Sequence, residues 1–339
     1  MSTNPTISVI MSVYNTSSDD IHEAIRSVLQ QSYDDFEFII IDDNSNEETK
    51  KVIGSYLFDE RIRLYENHDN LGLTKNLNKA ISLSKGTYIA RMDSDDVCER
   101  KRFERQLQFM VKNPDIVVLG TYYYFLKDGR KIKHNCEATS PSNTKARWFF
   151  TNTGVMHASV MIRAEVLKNG YLYDTHFKRT QDYDLWTRIS KKHDIAVMPE
   201  YLMSYRISGE QISTKYNNEQ MRYYDEIIFR QLDELYSDLD EYYKTIHYNI
   251  CRGIKNTNSI VVYDWCRNLI NRNNQIKMYD ALSFKYYALY YCLRNCAKSI
   301  HGVRDFLVAV KMGINWAFTI IPFEIKERRY RKKAIVLSA

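Results

Sequence analysis

Gly86-Thr-Tyr-Ile-Ala-Arg-Met-Asp-Ser-Asp-Asp-Val97 is the stretch on which the reading of this chain turns. Tyr88 to Met92 has the length and β-favouring residues of a buried strand, and it runs straight into three carboxylates, Asp93, Asp95 and Asp96. In open α/β sheets, ligands bind at the carboxyl ends of the strands. Carboxylates crowded there repel by about 4 kcal/mol per pair at an effective dielectric of roughly 20. A shared hard cation, Mg²⁺ or Mn²⁺, relieves that repulsion because both ions prefer oxygen ligands. An acidic turn capping a helix that begins near Glu99 is the plainer alternative. This stretch alone leaves both open.

Upstream, strand and helix alternate. Ile7 to Tyr14 reads as a strand, and Ile21 to Gln31 as a helix with Ile21, Ala24, Ile25, Val28 and Leu29 on one face. Phe36 to Ile41 is a second strand, ending at Asp42 and Asp43. A helix over Glu47–Phe58, a strand over Arg61–Tyr65 and a helix over Thr74–Ser84 follow. The alternation predicts a mainly parallel sheet covered on both faces. Neither a G-x-G-x-x-G turn nor a G-x-x-x-x-G-K-[ST] loop is present, which argues against dinucleotide enzymes and P-loop NTPases. With no glycine loop to cradle phosphates, a metal at the acids would have that task.

The four ordered blocks Val9–Asn15, Ser27–Ser45, Asn70–Asn78 and Gly86–Asp96 resemble glycosyltransferase family 2. The resemblance implies a GT-A fold, a nucleotide-sugar donor (UDP-linked) and inversion at the anomeric carbon. By position it implies that Ser12, Tyr14 and Asp43 surround the base, Asp43 accepting from the uracil N3, and that Lys75 lies near the diphosphate. Asp95 would be the main ligand of a Mn²⁺ or Mg²⁺ ion, with Asp93 shared between ribose and metal and Asp96 ordering the turn. A solvated helix residue is the plain alternative for Lys75.

Further along, Phe103–Val111 reads as a helix, Ile116–Leu126 as a long strand or strand pair, and Lys127-Asp-Gly-Arg130 as a turn. Cys136 to Arg147 reads as a loop leading to a helix, on the acceptor side. In Thr180-Gln-Asp-Tyr-Asp-Leu-Trp-Thr-Arg188, Asp182 matches the family's general base, although Gln181 replaces the commoner Glu. A carboxylate is needed there because an acceptor hydroxyl is a poor nucleophile at neutral pH. Asp184 competes for the role, but two residues along a helix point to different sides. His157 and Trp186 are acceptor-side candidates, His157 also a candidate metal ligand; a core position is the alternative for Trp186. Arg206 corresponds to the arginine of the family's R-x-H segment and would reach the diphosphate, while Ser208 stands where the histidine is common. Gln-x-x-Arg-Trp is absent, which favours transfer of a single sugar.

The 339 residues, 44% hydrophobic and 27% charged with only 11 Gly and 5 Pro, are those of a globular chain with room for a large and a smaller domain. The expected division is a GT-A part over 1–214, with nucleotide-binding residues 1–97 and acceptor and base residues 98–214, then a helical region over 215–339. No signal peptide is read at the start. Six cysteines without metal-finger spacing suggest reduced thiols and a cytoplasmic location. Net charge is +6, and from Gly302 onward eight basic residues face three acidic ones, a net of +5. A helix ending at Ile321, before Pro322, would be about 24 Å long over Phe306–Ile321, shorter than the roughly 30 Å bilayer core. Arg304, Lys311, Asn315 and Thr319 fall on one stripe of it. The expectation is an interfacial helix over 303–321, anchored by Trp316 and a basic tail over 324–333 on an anionic membrane, with no nucleic-acid partner; a buried helix with a solvated tail is the alternative.

Together these readings describe a metal-dependent, inverting transferase acting on a glycan or lipid-linked acceptor in surface polysaccharide assembly (O-antigen or capsule), peripheral on the cytoplasmic face of the inner membrane. A catalytically silent nucleotide-sugar-binding or membrane-scaffold protein is the competing class.

Overall fold

The structure, a computed structural model, describes residues 4–135, 140–207, 217–255, 258–298 and 303–338. Its described residues fall into two compact units, within Met1–Glu137 plus Val155–Gln220 and within Ala138–Gly154 plus Met221–Lys332.

The first unit is built on the alternating segment. β1 (Ile7–Val13), β2 (Phe36–Asp42), β3 (Ile62–Glu66) and β4 (Tyr88–Asp93) are joined by α1 (Ser18–Leu29), α2 (Glu47–Gly54) and α3 (Leu73–Leu83). β2 is buried at every position because helices cover both faces, which is why it reads as a continuous apolar run. Ser17 caps α1 by accepting from the Asp20 amide, and Asp19 and Asp20 suit its positive end. β2 and β4 both pair parallel to β1, with Val13 beside Asp42 and Ser12 beside Asp93. Gly86 lies where the chain enters β4. A Cβ there would stand 2.5 Å from the Ser8 amide nitrogen, so only glycine fits, and its own amide donates to Ser8 Oγ.

Beyond the acids come β5 (Val97–Cys98), α4 (Arg102–Lys112), β6 (Ile116–Lys127), β7 (Arg130–His134), α5 (Pro141–Trp148), β8 (Met161–Arg163), α6 (Ala164–Lys168), α7 (Gln181–Ile189) and β9 (Asp194–Arg206). Ile116–Lys127 is one long strand, and Asp128 and Gly129, both at positive φ, make the two-residue turn into β7. The strand order is β3-β2-β1-β4-β8-β6-β9-β5, with β7 beside β6. The order reverses at β1, which is followed in sequence by β2 on one side and flanked by β4 on the other. That reversal opens a crevice at the carboxyl ends of β1 and β4, where the acids stand.

The second unit holds α5, α8 (Asn217–Leu235; its first residues through Gln220 belong to the first unit), α9 (Glu241–Arg252), α10 (Ser259–Ile276), α11 (Ala281–Lys298) and most of α12 (Val303–Ser338). Its core is aromatic. Phe149, Phe150, Trp265, Phe284 and Tyr287 are buried together, and Phe150 stacks on Tyr291 at 5.3 Å. The five described cysteines are free thiols; Cys136 lies outside the described residues.

α12 corrects the expected terminal helix. It runs 36 residues, straight through Pro322, about 54 Å at 1.5 Å each. Pro322 removes one helical hydrogen bond, but the flanking turns are held by packing. Phe323 stacks on Tyr286 with centroids 3.7 Å apart, and the buried Glu327 carboxylate accepts from Ser140 and Asn143 at the start of α5. Arg304–Lys332 is therefore long and apolar enough to cross a membrane by length and composition, which overturns the shortness argument. Of the polar stripe, Arg304, Lys311 and Asn315 are exposed, while Thr319 is buried at 2% exposure. Trp316 is not an outward anchor: its ring lies among Tyr286 and Tyr290.

Candidate active site

Asp93 ends β4, and the turn after it carries Asp95 and Asp96. One carboxylate oxygen from each lies within 4.8 Å of the others, and among the described residues this is the group of acids, histidines or cysteines close enough to hold a metal. Arg91 shares the Asp93 face of the strand. Its guanidinium is buried and grips both Asp93 oxygens. Asp96 is fully buried; its Oδ1 accepts from the Arg206 amide at 2.9 Å, while its Oδ2 has no protein partner. Burial and the Asp93 charge push Asp95 up to about 6, and burial holds Asp96 well above the usual carboxylate range. Crowded hard oxygens, one of them orphaned, are what a divalent cation fits.

Asp182 stands in the first turn of α7, where the helix dipole favours a negative group. Burial raises its pKa, and the nearby charges that act on it are Arg91 and Asp93. Asp182 thus belongs to the same neighbourhood as the β4 acids. Asp184, two residues on, is fully buried and paired with Arg188 at 2.7 Å. Its carboxylate is a structural partner.

Residues 8–170 match the family model described as glycosyl transferase family 2. Over 207 residues the chain is 35% identical to an uncharacterized glycosyltransferase of Methanocaldococcus jannaschii, covering 60% of this chain and 71% of that one. The chain belongs to glycosyltransferase family 2. It is also 32% identical over 212 residues to a putative teichuronic acid biosynthesis glycosyltransferase of Bacillus subtilis, covering 62% of this chain and 82% of that one. Among solved structures it is similar to S. aureus TarS in complex with UDP-GlcNAc, with a TM-score of 0.57 and 18% identity over 97% of this chain and 92% of that one. That likeness bears on the fold, which is GT-A with a C-terminal helical region.

Within this family-2 frame the remaining candidates take different places. Ser12 lies at the crevice floor, its Oγ accepting from Asn76 at 3.0 Å, and Tyr14 is 53% exposed just beyond β1. Asp43 is 2% exposed, and its oxygens accept from Asn67 Nδ2 and from the Leu71 and Gly72 amides, each at 2.8 Å. It folds the 67–72 loop against the crevice, with Gly72 at φ +85°. Lys75 is exposed on α3. Arg206 lies against the acidic turn: its guanidinium donates to the Asp95 carbonyl and pairs with Asp20 and Glu23 of α1. Trp186, at 2% exposure, is core and cannot be a sugar platform. His157 bonds through Nε2 to the Tyr173 hydroxyl at 2.7 Å and stands edge-on to Trp186. Burial and the Arg91 charge lower its pKa well below normal, so it is a neutral partner of Tyr173 outside the acidic group. Ser208 lies outside the described residues.

Two members of this neighbourhood escaped the sequence reading. Arg91 is a cation that acts on Asp93, Asp95, Asp96 and Asp182 together; an arginine inside an apolar strand was its signal. Tyr173 lies in a loop with no pattern, fixed by a reciprocal pair of hydrogen bonds with Asn78. On the far side, Tyr205 lies near the acids and its ring meets Tyr123 and Phe125, which in turn meet His134.

Proposed function

We propose that this chain is an inverting, metal-dependent glycosyltransferase that moves a single sugar from a UDP-sugar to a hydroxyl of a glycan or lipid-linked glycan in surface polysaccharide assembly. The observation that carries the reading is the shared environment of Arg91, which grips Asp93 of the acidic cluster at the end of β4 and whose charge also acts on Asp182. The likeness to a putative teichuronic acid biosynthesis glycosyltransferase supports the acceptor class, and the UDP-GlcNAc bound by a structural neighbour supports the donor class.

In this reading Ser12 and Tyr14 receive the base beside the loop that Asp43 folds, and Lys75 approaches the diphosphate from α3. Asp182 takes the proton of the acceptor hydroxyl as that oxygen attacks from the face opposite the nucleotide. Burial suits it to the task, because a carboxylate of raised pKa is a stronger base than an exposed one. Arg91 fixes the Asp93 carboxylate while its charge favours the ionised form of Asp182. A Mn²⁺ or Mg²⁺ ion held by Asp95, with Asp93 and Asp96, would supply the positive charge that a departing diphosphate needs. Tyr205, Tyr123, Phe125 and His134 offer ring surface for an acceptor sugar. In this reading the catalytic part is the first unit, and the helical part is the second unit, which takes in Ala138–Gly154 and Met221–Lys332 rather than beginning at 215; both stand on the cytoplasmic side of the inner membrane.

A hydrolysis screen over UDP-, GDP- and dTDP-sugars, with and without Mn²⁺, tests this. Metal-stimulated turnover of a UDP-sugar is expected. UDP binding with no turnover of any donor would favour the silent binding protein instead.

A further inference from the structure

α12 has two apolar faces on opposite sides. At about 100° per residue, Ala309, Met312, Thr319, Phe323 and Glu327 share one side, and all are buried. Leu307, Val310, Ile314, Phe318, Ile321 and Ile325 fall on the other side within about 80° of arc, and each is at least 40% exposed, Phe318 at 78%. The exposed basic residues Arg304, Arg328, Arg329 and Lys332 point to this outer side as well, flanking and extending the apolar row. Asp305 and Glu324 project off it by the same helical count. The outer face is therefore a strip about 27 Å long from Leu307 to Ile325, greasy along its middle, where exposed Lys311 stands at one edge in line with Arg329, and positive at its ends.

A solvated protein surface does not explain six aligned large apolar side chains. The charge pattern selects the occupant, because cations bracketing an apolar row match lipid phosphates bracketing acyl chains. The inner face sets the orientation. Crossing a bilayer would strip Phe323 from Tyr286 and the Glu327 carboxylate from Ser140 and Asn143, exposing a buried charge to lipid. We infer that the outer face of α12 docks in the plane of an anionic lipid surface while its inner face stays packed on its own helical unit. This adds a partner to the transferase reading and does not depend on the crevice chemistry.

Sedimentation of the full chain with vesicles of phosphatidylglycerol and phosphatidylcholine, and with phosphatidylcholine alone, tests it. Binding to the anionic vesicles is expected at least tenfold tighter than to the zwitterionic ones, with release by an alkaline carbonate wash. Phe318→Asp, at an exposed position, should abolish sedimentation with an unchanged melting curve and unchanged UDP affinity. Replacing Arg328, Arg329 and Lys332 together by Gln should weaken binding to anionic vesicles by about fivefold per charge and leave the residual zwitterionic binding alone. Equal affinity for both vesicle types, or no binding to either, overturns the inference. So does carbonate-resistant retention, which means a spanning helix, and so does a dimer in ultracentrifugation that Phe318→Asp dissolves without any vesicle binding. Vesicle binding by a chain that fails to bind UDP would leave the docking face standing and remove the transferase reading.

Discussion

Both units bury titratable side chains, and they treat them in opposite ways. In the helical unit burial neutralises a histidine and a thiol. His247 is driven down to about 3, its Nδ1 accepting from Trp265, and Cys296 is pushed up to about 12. These groups behave as packing. In the crevice, burial meets charge. Arg91, Asp93, Asp95, Asp96 and Asp182 are held close together with incomplete pairing, and a buried Asp96 oxygen is left without a protein partner. Leaving such groups uncompensated is costly, so the arrangement is explained by something that arrives with the substrate. His157 and His247 show the contrast in one residue type: both are pushed toward neutrality by burial, but only His157 also feels the charge of Arg91.

The contrast can be tested from both sides. Asp182→Asn should lower turnover by about 10² to 10⁴ with UDP affinity intact, read by steady-state kinetics beside calorimetry; full activity removes the base assignment. Asp95→Ala should eliminate the Mn²⁺-dependent part of UDP binding, and an unaltered Mn²⁺ response in the titration would break the metal reading. On the helical side Trp265→Ala should lower stability by about 3–5 kcal/mol, measured by denaturant unfolding, and leave UDP affinity alone at temperatures where the variant is folded. Glu327→Gln, which retains one acceptor oxygen, should cost about 1–3 kcal/mol in the same assay. The subtlest effect is on pH. Because burial raises the Asp182 pKa and the base works ionised, kcat should decline as pH falls through a value above the ordinary carboxylate pKa of about 4. A rate profile whose acid limb sits at or below that ordinary value would break the contrast for this residue.

Much of the first unit was legible because its signals are local. Alternating apolar runs set β1 through β4, and acids at strand ends marked the crevice. The helical spacing between Asp182 and Asp184 anticipated that only one of them would face it. What escaped depends on distant partners. Nothing around Tyr173 in sequence announces Asn78 or His157, and nothing around Arg206 announces its ion pairs with Asp20 and Glu23. The apolar run alone bounded the terminal helix at 321, whereas the Phe323 stack and the Glu327 anchor hold α12 through Pro322.

Gly86 gives the crevice a remote control point. It lies at the far end of β4 from Asp93, seven residues or about 23 Å away at 3.3 Å each, with the Ser8 backbone filling the space a side chain would need. Any larger residue there has to lift or slide β4 against β1. Since successive side chains face opposite ways, a slide of one residue would turn Asp93 to the wrong side of the sheet. The strand thus works as a ruler whose zero mark is a missing methyl group, and an error at that mark is read at the carboxylates.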